Sequence, residues 1–118
     1  MPLTPEEQRE LRRDLVTGAS EIDQSLTATQ QAAKPVELDQ ASVGRVSRID
    51  AIQQQKMVEA TRRALSARRQ QIQAALRRFE EEEYGDCLDC GEAIPFARLK
   101  AKPESLFCVR CQENRERR

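Results

Sequence analysis

Leu11, Leu15, Ile22 and Leu26 recur at spacings of four and seven, which places them on one narrow stripe of a helix, with Arg12, Arg13, Glu21 and Asp23 off the seam. Thr4-Pro5-Glu6-Glu7 marks where that helix begins: a hydroxyl for the cap, Pro at the first helical position and Glu at the third, so that each orphan backbone donor finds an acceptor. A stripe this narrow suits a coiled-coil partner better than a globular core. The pattern fades over 27–33, and Lys34-Pro35 disfavours helical geometry at Lys34 while letting a new helix begin at or just after Pro35, so 32–38 reads as a turn. Residues 39–83 contain no Pro and only Gly44, and Val58, Leu65, Ile72 and Phe79 repeat every seven residues with Leu76 beside them, which predicts one long second helix. At 1.5 Å per residue the first helix, about 28 residues, would reach roughly 40 Å and the second, about 45, nearly 70 Å. Either the second extends beyond the pair or it is interrupted near Gly44. Both fit an antiparallel helical hairpin over 1–83, followed over 84–118 by a small appendage that ends in a short polar helix over 112–118.

Composition narrows the class without changing it. Of 118 residues only 38% are hydrophobic and 3% aromatic, too few for a large core, while 34% are charged. Few Gly and abundant Gln favour long solvated helices, an all-α reading. The formal charge of zero conceals segregation: 41–79 carries nine Lys or Arg against Asp50 and Glu59, whereas 80–92 carries seven acids and no base. Two readings fit that pattern, a solvated helix face followed by an acidic linker, or a polar rod that docks on charged protein surfaces. The polar, acidic start and the lack of any apolar run of about 18 residues support neither a secretory signal nor a membrane span, so the expected compartment is the cytoplasm.

The chemistry lies at the far end. Tyr84-Gly85-Asp86 closes the helical pattern, and Cys87-Leu88-Asp89-Cys90 follows at once, with Gly91 available for the unusual backbone such a turn requires. Cys108-Val109-Arg110-Cys111 repeats the spacing after seventeen residues. Two CxxC pairs so separated are the donor set of a structural zinc ion, because four thiolates in a tetrahedron leave no position open for water. Two disulfides or a redox-active pair are the alternatives, disfavoured in a reducing compartment. Ile94, Phe96, Leu99, Leu106, Phe107 and Val109 are too few to close a core unaided, so one Zn²⁺ held by Cys87, Cys90, Cys108 and Cys111 is expected to fold this end. The bound site would carry two negative charges, for which Arg98, Lys100, Lys102 and Arg110 are candidate counter-charges or plain surface cations. With no His, no phosphate-cradling Gly-rich loop and no nucleophile beside a base, an enzyme is not expected.

The run YGDCLDCGEAIPFARLKAKPESLFCVRCQE over 84–113 resembles the zinc finger of the DksA/TraR family of bacterial transcription regulators, through YG before the first pair, CGE and Ile after it, and the Arg98-Leu99, Ala101 and Pro103 pattern between the pairs. With the hairpin, the resemblance spans 3–113. It implies a protein whose partner is RNA polymerase rather than specific promoter DNA, whose hairpin enters the polymerase secondary channel, and whose tip acts near the active site. It also brings a nucleotide alarmone among the expected partners. The family's tip has an Asp, two residues, a second Asp, any residue and Ala; here Val36 stands at the first Asp, whereas Asp39 and Ala41 match the rest. Asp39 also suits the N-cap of the second helix. About a heptad of extra sequence, 43–50, separates this tip from the cysteines, and its Arg45, Arg48 and Asp50 are candidates for a different tip or ordinary helix-surface charges. The alternative function is a zinc-finger module binding DNA or RNA directly, since sixteen of twenty cations are Arg and eight of those lie on the second helix; the neutral total and scarce aromatics weigh against it.

Overall fold

Thr4 opens the chain's first helix, α1 (Pro5–Ala32), through a reciprocal cap. The Glu7 amide donates to Thr4 Oγ1 at 3.1 Å, and the Thr4 amide donates to Glu7 Oε1 at 2.9 Å, so two otherwise orphaned donors are satisfied. Glu6 and Glu7 also place negative charge at the positive end of the helix. The computed structural model describes residues 2–32 and 45–117. The expected turn at 32–38, Asp39, Ala41 and the question of a break at Gly44 lie outside the described residues, apart from Ala32, which closes α1.

The second helix, α2, runs Arg45–Glu80. It was expected to continue to residue 83 and stops three residues short. Glu82 takes φ 60°, the Glu83 amide donates to the Arg78 carbonyl at 2.8 Å, and the Glu82 amide donates to the Phe79 carbonyl at 3.2 Å. Those two bonds form a Schellman cap, here with Glu in the left-handed position that Gly usually fills. The cause is electrostatic as well: four successive Glu would oppose the negative end of a helix, whereas Arg77 and Arg78 in the last turn complement it. Arg78 Nη2 then donates to the carbonyls of Glu83 at 2.7 Å and Asp86 at 3.0 Å, fixing the chain's exit.

Two short helices complete the set, α3 (Phe96–Ala101) and α4 (Val109–Glu116), with no strand among the described residues beyond one bridge between Asp86 and Ala93. The residues cluster into two units, 1–20 with 68–118 and 21–67. In the first unit Leu11, Leu15, Ile72, Ala75, Ile94 and Leu99 are buried. Ile72 Cδ1 would come within 3.4 Å of a Cβ at Gly18, and Phe79 packs on the cluster that contains Leu11, so numbering falls along α1 as it rises along α2. In the second unit Arg62 Nη1 on α2 donates to the Leu26 carbonyl and to Thr29 Oγ1 on α1. These pairings are those of an antiparallel hairpin. The heptad positions behave as the pattern requires: Leu11, Leu15, Ile22 and Ile72 are buried, and Leu26, Val58, Leu65, Leu76 and Phe79 half-buried.

Candidate metal centre

The first cysteine pair is held in a tight turn off the end of α2. The Cys87 amide donates to the Glu92 carbonyl at 2.8 Å, the Gly91 amide returns to the Cys87 carbonyl at 2.9 Å, and Gly91 takes φ 76°, the left-handed conformation its sequence position predicted. The Ile94 amide donates to the Gly85 carbonyl at 2.7 Å, tying the turn's exit to its entrance. The second pair opens α4. Cys108 is its N-cap, with Sγ accepting from the Cys111 amide at 3.5 Å, so the helix starts inside the second CxxC rather than after it. A bond from the Leu88 amide to the Leu106 carbonyl, 2.9 Å, joins the two halves.

These constraints bring four sulfurs together. The Sγ atoms of Cys87, Cys90, Cys108 and Cys111 all lie within 4.8 Å of one another, and those of Cys90 and Cys108 are 3.9 Å apart. Sulfurs about 2.3 Å from a central zinc stand about 3.8 Å apart along a tetrahedron's edges. All four are free thiols, and 3.9 Å is far beyond a bonded S–S distance, so the disulfide alternative does not hold. Without a metal the thiols influence one another strongly. Burial pushes the Cys87 thiol up, but hydrogen bonds from the backbone of Cys90, Cys108 and Asp89 outweigh it and bring the group down to about 6. The Cys111 thiol is pushed up to about 12, first by its contact with Cys108 and then by burial. Four sulfurs this close cannot all ionise without a cation between them, which is the electrostatic requirement that Zn²⁺ meets.

The remaining polar groups bind the finger to the roots of the two long helices. Lys100 reaches Glu10 Oε1 and Asp14 Oδ2 on α1, each at 2.8 Å. It therefore serves α1, not the thiolates for which the sequence offered it. Glu104, the one buried charged residue among those described, accepts from Arg68 Nε on α2 at 2.9 Å. Tyr84 stacks on Phe79 with ring centres 3.9 Å apart and donates its hydroxyl to the Pro103 carbonyl at 2.8 Å. Burial, then the charges of Glu104 and Asp14, raise the Tyr84 phenol well above its ordinary value, so it stays a donor. A cation that the sequence does not single out, Arg115, meets Asp89 and Phe107 beside the cysteine pairs; nothing in the spacing of the three announces that they meet.

Residues 82–117 match the model of the prokaryotic dksA/traR C4-type zinc finger. The RNA polymerase-binding transcription factor DksA of Caulobacter vibrioides is 49% identical over 47 residues, which cover 40% of this chain and 33% of that protein. Its Escherichia coli counterpart is 37% identical over 41 residues, 35% of this chain and 27% of the other. The matched stretch thus spans about a third or less of each curated relative's length. The structure of transcription factor DksA2 from Pseudomonas aeruginosa matches with a TM-score of 0.79 at 20% identity, covering 96% of this chain and 85% of that one, and so shares the fold. A cluster of four cysteine sulfurs within 4.8 Å of one another, inside a finger of this type, takes a structural zinc ion. Over residues 82–117 the chain thus carries a C4-type zinc finger of the dksA/traR kind, on a fold shared with DksA2.

Proposed function

We propose that this protein is a cytoplasmic transcription regulator that binds RNA polymerase, entering its secondary channel with the helical hairpin while the zinc finger forms the base. The observation that carries the reading is the pairing of a 47-residue stretch 49% identical to an RNA polymerase-binding factor with a fold shared over 96% of the chain. The physics suits the task. In a pair of helices every interior backbone group is bonded within its own element, so the pair can be narrow without exposing an edge. Cys87, Cys90, Cys108 and Cys111 are the zinc ligands; their saturated tetrahedron offers no position for catalysis, and the protein acts by binding one state of the polymerase better than another. Asp39 and Ala41 form the active part of the tip. An alarmone, being a polyphosphate, would need cations; Arg98 and Lys102 line a cleft between α2 and the finger with Gln71 and Gln112, but so does the carboxylate of Glu104.

The test is retention on core RNA polymerase in the presence and absence of another secondary-channel binder. The expected result is retention that the competitor abolishes. Asp39→Asn should keep that retention and lose the effect on transcription; unchanged regulation at saturating protein would remove Asp39 from the tip. Absence of retention, together with DNA affinity that falls steeply with salt, would replace this reading with direct nucleic-acid binding.

A further inference from the structure

Arg115 sits one turn beyond Cys111 on α4 and touches a residue beside each cysteine pair. Its Nε donates to Asp89 Oδ2 and its Nη2 to Asp89 Oδ1, both at 2.8 Å, a two-pronged pair with the residue lying between Cys87 and Cys90. Its guanidinium carbon also lies 4.0 Å from the ring centre of Phe107, the residue that precedes Cys108. One side chain on the second CxxC helix therefore grips the first CxxC turn and stacks on the approach to the second. The bond to Asp89 outweighs the cost of desolvation and favours the charged guanidinium.

We propose that Arg115 is a positioning residue for the zinc ion: by clamping Asp89 and stacking on Phe107 it holds the two cysteine pairs together from outside the ligand set and slows metal release. A four-thiolate zinc site carries two net negative charges, and a fixed cation at its rim lowers the cost of holding four thiolates side by side. For zinc to leave, one CxxC turn must swing away from the other, and that motion must first break the Arg115–Asp89 fork. Lysine cannot replace the fork, because its single ammonium neither bonds both carboxylate oxygens in plane nor stacks on the ring. The inference rests on the ligand assignment above.

The experiment is the rate of zinc transfer from the full-length, zinc-loaded chain to a colorimetric chelator in excess, for wild type, Arg115→Gln, Arg115→Lys, Asp89→Asn and the double variant Asp89→Asn with Arg115→Gln. Zinc stoichiometry and far-ultraviolet helicity are measured first. Arg, Lys and Gln have nearly equal helix propensity, so changes in rate do not come from α4 itself. Arg115→Gln should release zinc about three- to tenfold faster, the range for an exposed ion pair joined to a cation–ring contact. Arg115→Lys should recover part of the loss, and the double variant should be no faster than the faster single one. Equal rates for wild type and Arg115→Gln, or effects of Asp89→Asn and Arg115→Gln that multiply, would overturn the latch. A wild-type chain that binds no zinc would overturn the ligand assignment and the latch together, whereas full zinc with unchanged rates overturns the latch alone.

Discussion

The two units of the molecule are built on opposite economies. The unit of residues 1–20 and 68–118 combines a buried cluster, a metal centre and polar bonds between its elements: Lys100 to α1, Arg68 to Glu104, Tyr84 to Pro103. The unit of 21–67 has Ile22 as its one fully buried hydrophobe among the described residues, while Ile49, Ile52 and Met57 are exposed. There the helices are joined by a thin seam and by Arg62, which reaches from α2 to a carbonyl and a hydroxyl of α1. Zinc does for the finger what apolar area cannot do in so small a body. A helical pair needs no such support, because each helix bonds its own backbone and asks only for a stripe to keep the two in register. The first unit is thus held by several kinds of interaction at once, and the second by little beyond its seam.

The largest effect should come from the metal. Cys87→Ser removes one thiolate from a site whose zinc contributes on the order of 10 kcal/mol of apparent binding free energy. The expected outcome is zinc content well below one per chain and loss of hydrogen-exchange protection in α3 and α4, while amides of 48–67 keep theirs. Protection lost equally in both units would break the comparison. A variant with full zinc content would remove Cys87 from the ligand set.

Next is the core. Leu11 is fully buried, and Leu11→Ala should cost about 2–5 kcal/mol through lost transfer energy and the cavity left behind. Met57 is 69% exposed, and Met57→Ala should change stability by no more than about 0.5 kcal/mol. Chemical denaturation of the zinc-loaded protein measures both. Comparable costs would mean that Met57 is covered in solution and that the second unit is better packed than the chain alone provides.

How much of this was legible depended on the distance over which residues act. The Thr4–Glu7 cap, the stripe of Leu11, Leu15 and Ile22, and the paired cysteines are patterns complete within a few residues, and each appears in the structure as the spacing required. The contacts that hold the finger in place join residues 26, 36 and 86 positions apart: Arg115 to Asp89, Arg68 to Glu104, Lys100 to Asp14. No periodicity encodes such pairs, and a surface cation looks the same in sequence whether it meets a thiolate or a carboxylate. That is why the sequence leaves Lys100 open between a counter-charge to the thiolates and a plain surface cation, and does not single out Arg115. The helix α3 is not legible for a related reason, since six residues after a Pro carry too little pattern to separate a short helix from a loop.

The smallest effect has the opposite sign and tests how far the anchored unit is from its own optimum. Glu82 is the one non-glycine residue with positive φ among those described, in the cap where α2 gives way to the finger. A side chain in the left-handed region costs roughly 1–2 kcal/mol, and glycine there gives back part of that gain through the greater freedom of the unfolded chain. Removing the charge also relieves a run of four acids at the negative end of a helix. Glu82→Gly should therefore raise stability by about 0.5–1 kcal/mol, read as a higher denaturation midpoint with an unchanged slope. A loss of stability would show that Glu82 makes a compensating contact through its side chain. A gain accompanied by weaker polymerase retention would assign the strain to function, because the only reason left to keep a glutamate in that position would be the surface it presents.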